Sequence, residues 1–326
     1  MSRCGLIGTI TSDIITAEDG PGAAREGAVA AGARTFHTIG GILYQAAALS
    51  GLGVPAALFS HCGEAIRPDV EAIIGDWQTL DRSGLAFVPG PGNRVVLRYT
   101  ERSREREEVL ESVVPPLDPE PVLRALPGLD FLMMVFNSGF DISLPDWRKI
   151  VSKAACPIWF DIHSLALEPR VGAHRNYRAL PDWPEWVKGV TYLQANRQEV
   201  GCLMGHPERW ADEGEIRDFF RRAIAAGVRA IFMTMGKDGV LAATLEEIRR
   251  VPAPVASEVV DATGCGDVFA AASVDGLLRG EPEFQAAAAG VGLATQAVAV
   301  SGLRETFSLA SRASHRESAI IKDRRS

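Results

Sequence analysis

The stretch Val259-Val260-Asp261-Ala262-Thr263-Gly264-Cys265-Gly266-Asp267-Val268-Phe269 decides how this chain is read, because it runs directly into an Ala-rich helical pattern that extends to Leu278. Gly264 and Gly266 can take backbone angles closed to other residues, so successive N–H groups can turn inward. The helix that follows adds roughly half a positive charge at its start. Loop and dipole together form an anion cradle. Asp267 sits at the rim, where a carboxylate can take a proton from a hydroxyl attacking a bound phosphoryl group. The same letters also fit a plain helix start in which Asp267 only complements the dipole. Other nucleotide fingerprints fail: Ile231 stands where a P-loop ending in Gly236-Lys237 needs glycine, and no G-x-G-x-x-G occurs.

Outward from this loop, short apolar runs alternate with helical patterns: Gly5–Ile10, Pro55–Phe59, Asp130–Phe136, Pro157–Asp161, Val190–Leu193 and Ala230–Thr234. The alternation predicts a parallel sheet with crossover helices, and the lack of polar alternation predicts strands covered on both faces. Ligands then bind beyond the strands' C-terminal ends. Two stretches break the rhythm: the Gly- and Ala-rich Ile14–Thr38, and Leu85–Val114 with its pair Val95-Val96 and the charge block Glu101–Glu108. Either they meet as a small β lid over the site or they are solvated loops. The expected organisation is a doubly wound, mainly parallel α/β domain over 1–13, 39–84 and 115–307. A lid is inserted as 14–38 and 85–114, with Val95–Thr100 pairing to a strand from Ile14–Thr38. A polar C-terminal tail over 308–326 is expected to fray. An exposed lid edge would invite a homodimer.

Composition narrows the partners. Lys plus Arg is 34 against 41 Asp plus Glu, a formal charge of −7, which leaves no basic excess for a nucleic-acid backbone. The 5 cysteines contain no C-x-x-C and the 6 histidines no metal-ligand spacing, which argues against disulfides or zinc and for a reducing, cytoplasmic setting. The N-terminus reads as a first strand rather than a secretory signal. Phe284–Leu303 lacks charge but is mostly Ala and Gly, too little apolar area for a membrane span, so a buried, closely packed helix is expected.

The segment D-A-T-G-C-G-D at 261–267, followed by V-F-A-A, resembles the C-terminal signature of the ribokinase-like (PfkB) carbohydrate kinases, D-[TS]-T-G-A-G-D-x-F. It departs at Ala262 and Cys265, both small, so the cradle should survive with Cys265 as a backbone donor. Further motifs resemble family landmarks in order along the chain. Gly8–Asp13 is similar to the first strand whose terminal Asp binds sugar hydroxyls, although Asp13 also suits a turn. Gly40-Gly41 with Gln45 resembles the G-G-x-x-x-N-x-A substrate loop, Gln45 replacing Asn. Asn196-Arg197-Gln198-Glu199 resembles N-x-x-E, which helps place magnesium, and is equally a capping box. Thr234-x-Gly236-x-x-Gly239 matches T-x-G-x-x-G along the nucleotide, where Lys237 could reach a phosphate. Asp161-Ile162-His163-Ser164-Leu165 stands where relatives carry D-x-N-x-R; Leu165 in place of Arg makes anionic sugars poorer candidates. Asn137 is placed to touch substrate or to make a turn.

The resemblance implies an ATP-dependent kinase acting on a hydroxyl of a neutral sugar or sugar-like molecule. Asp267 would be the base, and Gly264, Cys265 and Gly266 would stabilise developing charge. Asp13, Gly40, Gly41 and Gln45 would hold the acceptor, while Asn196, Thr234, Gly236, Gly239 and Thr263 would contact nucleotide. Asn196 and Glu199 would hold Mg2+ through water, and a monovalent cation is also implied. Deviations at Gln45, His163 and Leu165 keep open a nucleoside kinase of the same fold, and a non-catalytic sugar- or nucleotide-binding regulator is the alternative from another class.

Overall fold

The structure is a computed structural model describing residues 2–17, 34–99 and 107–323. In chain order the first strands are β1 (Cys4–Ile7), β2 (Ile10–Ala17), β3 (Arg34–Gly41), β4 (Ala56–Gly63), β5 (Leu80–Val88), β6 (Asn93–Tyr99) and β7 (Glu107–Ser112). The remainder are β8 (Phe131–Val135), β9 (Ile158–Asp161), β10 (Tyr192–Asn196), β11 (Ala230–Thr234), β12 (Val240–Thr244) and β13 (Ile248–Val251). They form a 9-stranded sheet in the order β13-β12-β11-β10-β9-β8-β1-β4-β5 and a 4-stranded sheet in the order β3-β2-β6-β7. From β11 to β5 every neighbouring pair is parallel, and β12 and β13 add antiparallel strands at one edge. This is the mainly parallel α/β sheet that the apolar runs predicted.

The runs lack polar alternation because successive side chains enter two cores. Leu6, Met133, Trp159 and Phe232 face one helical layer, while Ile7, Leu132, Met134, Phe160 and Ile231 face the other. Trp159 and Phe232 stack with centroids 4.9 Å apart in the first layer. In the second, Trp147 packs against Phe160 at 5.3 Å and donates Nε1–H to the Trp186 carbonyl at 2.8 Å. Gly290 lets the helix Glu283–Ala297 press on the helix Cys265–Leu278: a side chain there would begin 2.2 Å from Ser273 Oγ. That is the close packing expected of the Ala- and Gly-rich run, although its helix ends before Leu303. No helix of the described residues is long and apolar enough to cross a membrane.

Several expected boundaries need correction. The chain enters the small sheet at Ile10 rather than Ile14, so Asp13 lies on the small sheet. β5 runs to Val88 in the large sheet, although 85–114 had been assigned to the lid. Val95–Tyr99 does pair, in parallel, with Asp13–Ala17. Thr100 and the remaining lid positions 18–33 and 100–106 lie outside the described residues. The tail expected to fray from Ser308 instead continues the helix Leu303–Asp323. Trp77 stacks on its Phe307, and Gly51 leaves room for the Phe307 carbonyl, which would stand 2.4 Å from a side chain.

Thr9 joins the sheets where β1 gives way to β2. Its N–H donates to Asn137 Oδ1 and Asp141 Oδ1, and its carbonyl accepts from Ile42 N–H. Asn93, which opens β6, donates to Thr9 Oγ1 at 2.6 Å and accepts from Val114 N–H at 2.8 Å, just past β7. Buried groups thus satisfy one another where Thr9 and Asn93 cross between the sheets, as most buried polar atoms do.

Candidate active site

The C-terminal ends of β8 to β11 and the inner face of the small sheet enclose a cavity of about 240 Å³. Register brings the functional residues into a row: Val135 pairs with Asp161, Asp161 with Gln194, and Asn196 with Thr234. Asp13, Gly41, Asn196, Glu199, Thr234, Thr263, Gly264, Gly266 and Asp267 all line the cavity. Asp13 and Asp267 therefore open on one space.

At the phosphate end, Gly264 precedes the helix Cys265–Leu278 with φ +76°. A side chain at Gly264 would begin 2.3 Å from the Tyr44 ring, so both backbone angle and space demand glycine. Gln194 bridges this turn to β10 by accepting from Trp159 Nε1 at 3.2 Å and donating to the Gly266 carbonyl at 3.1 Å. Cys265 departs from its expected role as a cradle donor: its N–H points to the Ala262 carbonyl at 3.3 Å, closing the turn. Its side chain is absent from the cavity wall, and burial pushes the thiol up to about 11.

Asp267 is half-buried, with Oδ1 sealed from solvent and lacking a hydrogen-bond partner. Burial pushes its pKa up to about 7, against the opposing pull of the Gln45 amide and its own backbone. Gln45 corrects another expectation. It is fully buried in the helix Leu43–Leu52 and absent from the cavity wall, so it holds no acceptor there. The helix places Tyr44 on the cavity and turns the next residue into the core. The Gln45 amide approaches Asp267 closely enough to influence it, yet neither amide atom finds a hydrogen bond of ordinary geometry.

Asn196 accepts from the N–H groups of Gln198 and Glu199, and Glu199 Oε2 accepts from Asn196 N–H at 2.7 Å, completing a capping box. Burial raises the Glu199 carboxyl to about 7. Asp161 is also driven well up, first by burial and then by the charges of Glu199 and Asp267. These carboxylates face a cavity on which, among the described residues, no lysine or arginine opens. A cation is the natural counterweight, although the described residues hold no group of three or more His, Cys, Asp and Glu at metal-ligating spacing. Gly236 and Gly239 lie off the cavity wall and Lys237 is exposed beside them. Gly239, with φ +85°, turns β11 into β12 where a side chain would meet the Val251 carbonyl at 2.1 Å.

At the other end, Gly40 does not line the cavity but makes room for Asp13, whose Oδ2 lies 2.8 Å from where a side chain would begin. Gly41, φ +65°, lets the chain pass 2.3 Å from the Thr9 carbonyl on the same measure. Asn137 and His163 line the wall. His163 adopts φ +34°, a region few residues other than glycine enter, and its Nδ1 pairs with Ser164 Oγ at 2.9 Å. Leu165 is buried in the core, so an arginine substituted there would not face this cavity without rearrangement. Sequence reasoning missed Tyr44, Gln194, Ser164, Val95, Leu97 and Glu108 as wall residues. Glu108 had been read into a solvated charge block. Its signal was the period of two that puts it on the same face of β7 as buried Leu110.

A base at a helix start, a glycine cradle and a second carboxylate across one cavity suit transfer of a phosphoryl group to a hydroxyl. Comparison with known proteins bears on the fold and on the resemblance. Residues 165–309 match the model of the pfkB family carbohydrate kinases. An uncharacterized sugar kinase of Archaeoglobus fulgidus is 30% identical over 171 residues, 52% of this chain and 60% of that protein. The chain thus spans about 60% of the length of the curated relative it matches. The Arabidopsis thaliana ribokinase complexed with ribose and ATP superimposes with TM-score 0.72 at 17% identity, covering 95% of this chain and 98% of the other. The Burkholderia thailandensis nucleoside kinase in complex with inosine gives 0.69 at 18% identity, covering 93% and 92%. The chain has the ribokinase fold, and the resemblance to the pfkB carbohydrate kinases implied by its signature holds.

Proposed function

We propose that the chain is an ATP-dependent kinase that transfers the γ-phosphoryl group to a hydroxyl of a neutral sugar or sugar-like molecule. The observation that carries this reading is the meeting of Asp267, at the glycine cradle, and Asp13, on the small sheet, across one cavity. Asp267, poised near neutrality, takes the proton of the attacking hydroxyl. The N–H groups of Gly264, at the left-handed turn, and of Gly266, in the first turn of the helix, would stabilise charge that develops on the transferred group. Asp13 accepts hydrogen bonds from acceptor hydroxyls. Thr234 and Thr263 line the nucleotide side, with Gly236 and Gly239 shaping the loop behind it.

Magnesium is assigned beside Asn196 and Glu199, where a divalent cation would favour ionised carboxylates at Asp161, Glu199 and Asp267 and would offset phosphate charge. Asn196 and Glu199 are engaged with each other in the capping box, so they would hold the ion through its water. A monovalent cation, also implied by the resemblance, is part of the proposal. The small sheet acts as the lid that keeps water from the donor. A homodimer through that sheet would use its β3 edge, since Gly172 and Arg175 donate backbone hydrogen bonds along β7.

One observation favours a second reading, a nucleoside kinase: Val95 and Leu97 present apolar surface to the acceptor, as a base would need. An ATP-consumption screen across pentoses, hexoses, polyols and nucleosides tests both. Turnover on sugars or polyols supports the first and turnover on nucleosides the second. Nucleotide binding without turnover on any member would favour a non-catalytic binding protein.

A further inference from the structure

We propose that Glu108, held in place by Arg175, selects the acceptor by charge: it favours molecules with hydrogen-bond donors at the end facing the small sheet and turns away those with an anionic group there. This rests on the kinase reading above. Glu108 pairs with Leu97 in register, and both side chains line the cavity on the inner face of the small sheet. Asp13 lies on that face too, two strand spacings across and two residues along from Glu108, roughly 12 Å between backbones. A monosaccharide-sized molecule fits between two such carboxylates. Each can accept several hydrogen bonds.

Behind Glu108, and off the cavity wall, stands Arg175, whose side chain is 0% exposed. Its Nη1 donates to Glu108 Oε1 at 3.3 Å, Nε to the Glu168 carbonyl at 2.9 Å and Nη2 to the Ser164 carbonyl at 3.3 Å. The guanidinium is thus fixed by three partners, and Glu108 is the one that carries negative charge. Arg175 N–H also donates to the Glu108 carbonyl at 3.0 Å, so the pair ties the segment before the helix Trp183–Val187 to β7. A clamp alone explains the backbone bonds. It does not explain why the carboxylate opens on the cavity with a buried cation directly behind it. Removing the carboxylate's charge while keeping its shape would leave that cation facing the acceptor, and the site would change from rejecting anions to attracting them.

The test measures wild type and Glu108→Gln on ribose, fructose, myo-inositol, adenosine and inosine as neutral acceptors, and on ribose 5-phosphate and gluconate as anions. Wild type should turn over at least one neutral member and bind neither anion. Glu108→Gln should raise KM for that acceptor tenfold or more and leave KM for ATP within twofold. It should also bind ribose 5-phosphate at least tenfold more tightly than wild type by calorimetry. The double variant Glu108→Gln, Arg175→Met removes both members of the buried ion pair. It should keep the acceptor defect, lose the gained anion binding, and carry the KM test if the single variant does not fold. An acceptor KM that stays within twofold, or an equal shift in KM for ATP, overturns the proposal, as does a wild type that prefers an anion. Wild type without turnover on any neutral member removes the kinase reading and this proposal together, whereas turnover with unmoved acceptor KM removes this proposal alone.

Discussion

At the end of the cavity that we assign to phosphate, the proposed chemistry comes from one short stretch, Gly264 to Asp267, shaped by a single turn with φ +76° and the helix it starts. At the acceptor end Asp13, Glu108, Asn137 and Ser164 arrive from separate segments of the chain, joined by a sheet pairing, a crossing at Thr9 and a buried ion pair. The first kind of site is held by local backbone geometry and leaves a motif. The second is held by contacts between residues far apart in sequence and leaves almost none. Substitutions at the phosphate end should therefore act on the chemical step, and those at the acceptor end on which molecule enters.

The largest effect should come from Asp267→Asn, which keeps the shape of the side chain and cannot accept a proton. Removing a general base costs on the order of 10² to 10⁴ in rate. Measured kcat should fall by that factor while KM for ATP holds or improves, since a negative charge beside the phosphates is lost. A folded variant with near-wild-type turnover would reduce Asp267 to a helix-start carboxylate and remove the contrast between the two ends.

Gly264→Ala should act next, through structure. It forces a non-glycine residue to φ +76° and sets its side chain 2.3 Å from the Tyr44 ring. Strain of this kind costs about 1 to 3 kcal/mol, read as a lower Tm, and should also raise KM for ATP by displacing the cradle. Equal loss of acceptor and donor affinity would mean that the two ends are less separable than their construction suggests.

The pH dependence sharpens the same point. With Asp267 raised to about 7 in the free protein, kcat/KM should climb as pH rises through about 7 and level off above, and the Asn variant should lose that limb. Stability runs the other way. The unfolded chain releases this proton near pH 4, whereas the folded chain keeps it to about 7, so between those values the folded state binds more protons and loses stability as pH rises. Melting the nucleotide-free protein at pH 5 and pH 8 should show a Tm decrease that Asp267→Asn makes smaller. A Tm that increases over that range in wild type and not in the variant would contradict the buried state of the carboxyl.

Six strands of the large sheet, β1, β4 and β8 to β11, were legible because each carries its own apolar run, and a strand covered on both faces needs no distant information to be recognised; β5 and β13, with one buried residue each, carry no such run. The glycine cradle was legible for the same local reason. Gln45 was misread because its motif position says nothing about which side of a helix faces the cavity. The packing of the Leu43–Leu52 helix turns Tyr44 outward and Gln45 toward Asp267. The helix Leu303–Asp323 was missed because its polar letters conceal a stripe that packs on Trp77 and the Leu43–Leu52 helix. Arg175 carried no motif at all. Its role depends on a pairing with Glu108 across 67 residues, which no window of sequence contains.

The smallest effect is expected at Cys265, where the chain departs from the family signature. Had its N–H been one of the cradle's donors and its thiol part of the wall, even a small side chain would matter there. Instead the N–H closes onto the Ala262 carbonyl and the thiol packs toward the core beside the Leu43–Leu52 helix, away from the cavity. Alanine removes one polarisable atom from a partly buried position, so stability should change by less than about 1.5 kcal/mol. Because Gly264 and Gly266 keep their conformations, kcat and KM for ATP should stay within twofold. The raised thiol pKa, about 11, also predicts slow alkylation by iodoacetamide at neutral pH, because the thiolate is the nucleophile. Rapid labelling of Cys265 with loss of turnover would place the thiol in the phosphate end after all, and the cradle would then have three donors rather than two.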